Sequence, residues 1–238
     1  MPAGSWSVDH DASGPHWPTS LALLALHAAR GQAGSDAFDE PIRRGVEWTL
    51  QQRGIAVDVS PELGHDVTLI AWSWAAGTHS WVEPTAMFVW ALKRLGYADH
   101  PRTREAVRLL QDRLLPGGGC NYGNTVVLGQ LLRPHLQPTG LALVALAGQP
   151  TADPRYQRSI DYLTHHLNEQ TPTASLAYGL LGLAAAGHGL PDGDRMLERA
   201  LDRELVRGAS PYRLALVALA AARNSSWFNE RLWARDRT

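Results

Sequence analysis

Trp81-Val82-Glu83-Pro84-Thr85-Ala86-Met87-Phe88-Val89-Trp90-Ala91-Leu92 is the stretch that decides the fold. After Pro-Thr it runs apolar with no polar face, the pattern of a helix buried on every side. Proline suits the first helical turn, where its missing N–H costs nothing and its fixed φ is already helical. The same opening recurs at Trp17-Pro18-Thr19, Gln137-Pro138-Thr139 and Thr171-Pro172-Thr173, and a fifth apolar run follows Ser210-Pro211. The runs Leu21 to Leu26, Ala86 to Leu92, Leu141 to Ala147, Leu176 to Leu183 and Leu214 to Ala222 are the expected inner helices.

Between them lie amphipathic segments. Ile42, Val46 and Leu50 share one face among Arg43, Arg44 and Glu47; Val107, Leu110 and Leu114 do so among Arg104, Glu105, Arg108 and Asp112. Ile160, Leu163 and Leu167 form a third stripe, and Met196, Ala200, Leu201 and Leu205 a fourth. Glycine-rich loops separate the segments at 31–35, 116–119 and 187–189. No long run alternates with the period of a half-buried strand; Ile55 to Val59 comes nearest and is too short to anchor a sheet. The chain reads as all-α, with apolar inner helices sheathed by amphipathic outer ones. An open solenoid is the competing arrangement. The Pro-Thr spacings of 66, 54 and 34 residues are too irregular for a regular array.

Composition narrows the function. Lys plus Arg is 22 against 23 for Asp plus Glu, so the electrostatic footprint of a nucleic-acid binder is missing. A single cysteine, Cys120, supports neither an internal disulfide nor a multi-thiolate metal site, and a reducing cytoplasm is the expected compartment. The start of the sequence has no basic and apolar leader, and no apolar run approaches the roughly 20 residues of a membrane span. One soluble domain over residues 1–238 is expected, with 224–238 as a C-terminal tail.

Two phrases, Gly4-Ser5-Trp6-Ser7 and Gly118-Gly119-Cys120-Asn121-Tyr122-Gly123-Asn124, each stand ahead of a Pro-Thr helix. They resemble the Gly-Ser-Trp or Gly-Gly-Trp repeats of the superfamily of squalene-hopene cyclases and protein prenyltransferase β subunits. The resemblance runs over roughly residues 4 to 222. It is nearest to the small bacterial prenyltransferase and squalene oxidase repeat proteins. It implies an α/α toroid of inner and outer helices around an apolar cavity that holds an isoprenoid. The chain starts inside a repeat, so an incomplete or shortened toroid of about five helical hairpins is expected.

The diagnostic chemistry of that superfamily does not carry over. The cyclase acid Asp-x-Asp-Asp has only Asp9-His10-Asp11-Ala12 as a near match, without the adjacent second carboxylate. Cys120 stands where the repeat phrase has tryptophan, so its place follows from the repeat and not from a zinc set of Asp, Cys and His. The second Cys beside a His that lanthipeptide cyclases need is absent, as is the Gly-Cys-Gly-Glu-Gln of thioester domains. No metal and no cofactor is implied.

The candidate site is then the segment that enters the decisive helix. Glu83, at the mouth of an inner helix, either caps that end or acts as a general acid or base beside Trp81. His65 and Asp66 offer a second polar pair, with Asp66 orienting the imidazole or capping a helix. Trp72, Trp74 and Trp81, with His79 and Trp17, serve as core filling or as a surface for an apolar or cation-bearing ligand. Asn121 and Tyr122, beside Asn124, tie loop backbone together or contact ligand. His165 and His166 lie on a polar face and read as solvated. Three functions stay open: an isoprenoid-like ligand held in a cavity, with or without catalysis; a carbohydrate-active enzyme using Glu83 with Asp66, Asp9 or Asp11 as a carboxylate pair; and a non-catalytic module for lipid or protein.

Overall fold

The structure, a computed structural model, describes residues 4–7, 17–58, 63–149, 152–208 and 210–225. Asp9 and Asp11 lie outside the described residues. Nine α-helices and one two-stranded hairpin account for most of what is described, and the all-α class holds. Among the described residues no helix is long and apolar enough to cross a membrane.

The chain forms two compact units, Met1–Asp112 and Arg113–Thr238. In the first, α1 (Pro18–Ala33) packs on α2 (Asp39–Gln51) and on α3 (Val82–Arg94), and α3 packs on α4 (Pro101–Asp112). In the second, α5 (Leu136–Leu146), α7 (Thr173–Ala185) and α9 (Pro211–Ala221) pack side by side. There α6 (Pro154–His166) lies against α5 and α7, and α8 (Gly193–Val206) against α7 and α9. Apolar helices thus contact one another within each unit while the amphipathic ones cover them.

Burial on every side holds for three of the five apolar helices. Every residue from Val82 to Leu92 in α3 is buried, as is Pro138 to Leu146 in α5 and Leu176 to Leu183 in α7. In α1 only Thr19, Ser20 and Leu23 are buried, and in α9 only Leu216, Val217 and Ala220. An apolar sequence permits burial all round; a neighbour must still be there to provide it. The fourth amphipathic stripe also differs from expectation. Met196, Leu197, Ala200 and Glu204 face inward on α8, and Leu205 is 60% exposed. The rotation follows from Glu204, whose carboxylate accepts hydrogen bonds from Thr173 Oγ1 and Arg213 Nε, both at 2.6 Å.

In three of the four Pro-Thr openings the threonine has a specific role; the fourth, Thr173, donates to Glu204 instead. Thr19 Oγ1 accepts from Trp6 N at 2.9 Å and donates to Trp6 O at 3.2 Å. Thr85 Oγ1 accepts from Trp72 N at 3.3 Å and donates to Trp72 O at 3.1 Å. Thr139 Oγ1 accepts from Cys120 N at 2.9 Å. One hydroxyl in the first turn of an inner helix therefore clips the extended repeat phrase that precedes it. A buried backbone N–H left without such a partner would cost about 1–3 kcal/mol. Glycine begins two of the phrases because backbone meets backbone there. A Cβ on Gly4 would stand 2.3 Å from Arg44 O, and one on Gly118 would stand 2.4 Å from Arg158 O.

The inner pair α5 and α7 is also spaced by glycine. A Cβ on Gly140 would fall 2.3 Å from Tyr178 O, and one on Gly182 would fall 2.6 Å from Gly140 O. Among the described residues one short hairpin accompanies the helices. Val126–Val127 and Gln130–Leu131 form an antiparallel hairpin, β1 and β2, too short for any period to show in sequence.

Candidate functional site

The candidate residues gather mainly on a loop that the first unit holds at the head of α3. Its neck is closed by Trp81 N donating to Trp72 O at 3.0 Å and by Ala71 N donating to Ser80 Oγ at 2.7 Å. The strand-like stretch after α2 fastens it from outside, with Gly54 N on Ala71 O and Ile55 N on Thr78 O, both at 2.9 Å. Gly54 is required for that approach, since a Cβ there would sit 2.8 Å from Ser80 Oγ. Neither Gly54 nor Ser80 stands out in the sequence.

Two aromatic pairs project from this frame. Trp74 meets Trp17, at the head of α1, in an edge-to-face contact with centroids 5.2 Å apart and planes at 81°. His79 stacks on Trp81 at 4.6 Å and 26°. All four rings are half-buried, so each keeps an accessible part. Edge-to-face and stacked pairs of this kind hold rigid apolar surface at low entropic cost.

Glu83 lies in the first turn of α3 and is 5% exposed. Its carboxylate therefore sits at the end of α3 where the helix presents unbonded N–H groups and a partial positive charge. Trp17 and Glu83 hold matching places in the repeat, each two residues before a clip threonine, on inner helices that pack together. Trp17 and Trp74 thus meet at the head of α1, while His79, Trp81 and Glu83 lie just before and in the first turn of α3.

The other candidates are placed elsewhere. Trp72 is 1% exposed and belongs to the core of the first unit. Its indole Nε1 donates to Thr49 O at 3.0 Å, its ring lies 5.3 Å from Phe88, and the Arg102 guanidinium sits 5.0 Å from its centroid. Trp72 stands in Ile70-Ala71-Trp72-Ser73, which occupies the place of the Gly-Ser-Trp phrase relative to its threonine but has no glycine. Its thirteen-residue distance to Thr85 equals that of Trp6 to Thr19, and this was the sequence signal for it.

Asp66 is exposed and sits in a turn, with Oδ1 accepting from Thr68 N at 2.9 Å and from Thr68 Oγ1 at 2.6 Å. Its own N–H donates to Asp112, the last residue of α4, at 3.0 Å, and its neighbour His65 is half-buried. These contacts tie Asp66 to the end of α4, whereas Glu83 lies in the first turn of α3. Asn121 and Tyr122 belong to the second unit. Asn121 spans its loop, donating from Nδ2 to Arg133 O and accepting from Tyr122 N, both at 2.7 Å, and Tyr122 lies over His135 at 4.8 Å. His165 and His166 are exposed, each with Nδ1 near the carbonyl one turn back.

Burial pushes the Cys120 thiol up to about 12, which leaves it a protonated core group at neutral pH. Among the described residues no three His, Cys, Asp or Glu side chains come together as a metal site. Surface clefts among the described residues of the first unit include two lined by charged side chains. One of about 560 Å³ lies among Arg30, Asp39, Glu40 and Tyr97, and one of about 380 Å³ among Arg43, Arg44 and Trp48. Both are lined largely by paired charges such as Arg30–Asp39 at 3.1 Å, and neither includes a candidate site residue.

No family model matches the chain, and no curated protein or solved structure matches it either.

Proposed function

We propose that this chain belongs with the toroid-forming repeat proteins its sequence resembles, and that it binds an isoprenoid-like apolar ligand at the heads of α1 and α3. The observation that carries this reading is the rigid, half-buried aromatic surface formed there by Trp17 on Trp74, next in sequence to the His79–Trp81 stack. Flat apolar ligands gain both dispersion and area burial against such rings. Glu83, buried in the first turn of α3, would meet the polar end of the ligand. Binding is the role proposed; the acid motif of the cyclases and the zinc set of the prenyltransferases are both missing from the sequence, so neither catalysis is proposed.

Titration with farnesol and with farnesyl diphosphate, followed by tryptophan fluorescence, tests the reading. Saturable quenching in the wild type that weakens at least about tenfold in Trp74→Ala, a loss of about 1.4 kcal/mol, is expected. Unsaturable or absent quenching with both ligands would refute it.

A further inference from the structure

We propose that the β1–β2 hairpin of the second unit is a lipid-docking tip whose aliphatic side chains enter the interfacial layer of a phospholipid surface. The hairpin turns through Leu128-Gly129, both in the left-handed region with φ of 50° and 71°. Such two-residue turns favour Asn, Asp or Gly at the first position, and a branched aliphatic side chain is strained there. Leu128 is also 91% exposed, so no contact within the fold offsets that strain. Val127 at 40% and Leu131 at 55%, on opposite faces of the hairpin by their register with Gln130 and Val126, add exposed apolar side chains on either side of it. Strain and full exposure of one leucine at a hairpin tip mark a side chain presented outward for burial against something else.

Size and charge identify the occupant. A stable protein interface buries upwards of about 1,000 Å², which a turn with two residues in each strand does not supply. A lipid interface accepts single aliphatic side chains to a depth of about 5–10 Å. From the Thr125–Leu132 backbone bond at 2.8 Å to the turn is three residues, or roughly 10 Å of strand. The two arms pair only the backbone groups that face each other, so the strand edges stay at headgroup depth and only the aliphatic side chains of the tip insert. Charge agrees: residues 113–152 contain no Asp or Glu, although the chain carries 23. Exposed Arg133 follows the second strand, and Tyr122 over His135 supplies the amphipathic ring favoured at a membrane–water boundary. The inference does not depend on the apolar-ligand reading of the first unit.

Flotation of the full chain with vesicles of phosphatidylcholine alone, and of phosphatidylcholine with phosphatidylglycerol, tests it. The wild type is expected to float with both, more completely with the anionic mixture. Leu128→Asn should lower the bound fraction about tenfold or more while keeping or raising the melting temperature, because Asn accepts the left-handed turn. Failure of the wild type to float with either vesicle overturns the proposal, as does flotation of Leu128→Asn equal to wild type. Binding confined to the anionic vesicles and abolished by high salt also overturns it, since charge alone would then suffice. So does concentration-dependent self-association without flotation that Leu128→Asn abolishes, which would assign the tip to a second copy of the chain.

Discussion

The second unit brings its inner helices together backbone to backbone, and the first fills the same kind of space with rings. Between α5 and α7, Gly140 and Gly182 sit so close that any Cβ would strike a neighbouring carbonyl. Around α3, Trp72 packs against Phe88 and the Arg102 guanidinium, and Trp17 meets Trp74 at the head of α1. Glycine spacing closes an inner pair tightly, whereas ring packing leaves aromatic surface only partly covered at its rim. That contrast is why the ligand reading is placed in the first unit.

The sharpest way to break the comparison is to remove its parts. Trp72→Ala should destabilise the first unit by about 3–5 kcal/mol, the range for losing a large buried ring, as read by denaturant unfolding. A cost under about 1 kcal/mol would show that Trp72 is not a core residue. In the second unit, Gly182→Ala should cost about 1–3 kcal/mol through overpacking, while Gly189→Ala, with open space around it, should be near neutral. Equal effects of the two would remove the backbone-contact account.

The clip should respond alike in both units. Thr85→Val and Thr139→Val each strand a buried N–H group and should each cost about 1–3 kcal/mol. A large effect in one and none in the other would mean that the repeat is not energetically equivalent.

Charge supplies a smaller, pH-dependent effect. Thr173 and then Arg213 hold the Glu204 carboxyl below its ordinary 4.5. A depressed folded-state value stabilises the fold above the ordinary value and loses that contribution as pH falls through the depressed one. Thermal melts of the wild type should therefore weaken below about pH 4.5, and Glu204→Gln should flatten that part of the curve. The smallest effect expected concerns Cys120, whose thiol stays protonated and buried. At pH 8 it should resist alkylation until denaturant is added, whereas prompt labelling of the native protein would contradict its burial.

The helical class and the two kinds of helix were legible because period and composition are local. The five apolar runs and the outer stripes of α2, α4 and α6 follow from side-chain spacing alone. Glu204 broke the reading of α8, since a buried carboxylate is tolerated only where distant Thr173 and Arg213 satisfy it. The Pro-Thr openings were visible, but the threonine's bond to the preceding phrase was not, because it spans thirteen residues of chain. For the same reason proximity in sequence groups Trp72 with Trp74 and Trp81, although Trp72 turns into the core and the other two stay half-buried. The hairpin at 126–131 escaped because its strands are two residues long and its turn begins on leucine.

The central claim, an apolar ligand held at the heads of α1 and α3, is tested most directly by native mass spectrometry of the freshly purified full chain. The account predicts a single co-purifying or added isoprenoid-sized ligand on the wild type, lost in Trp74→Ala and Trp81→Ala and weakened in Glu83→Gln. A wild type that carries no ligand and takes up none, or variants that retain it undiminished, would contradict it.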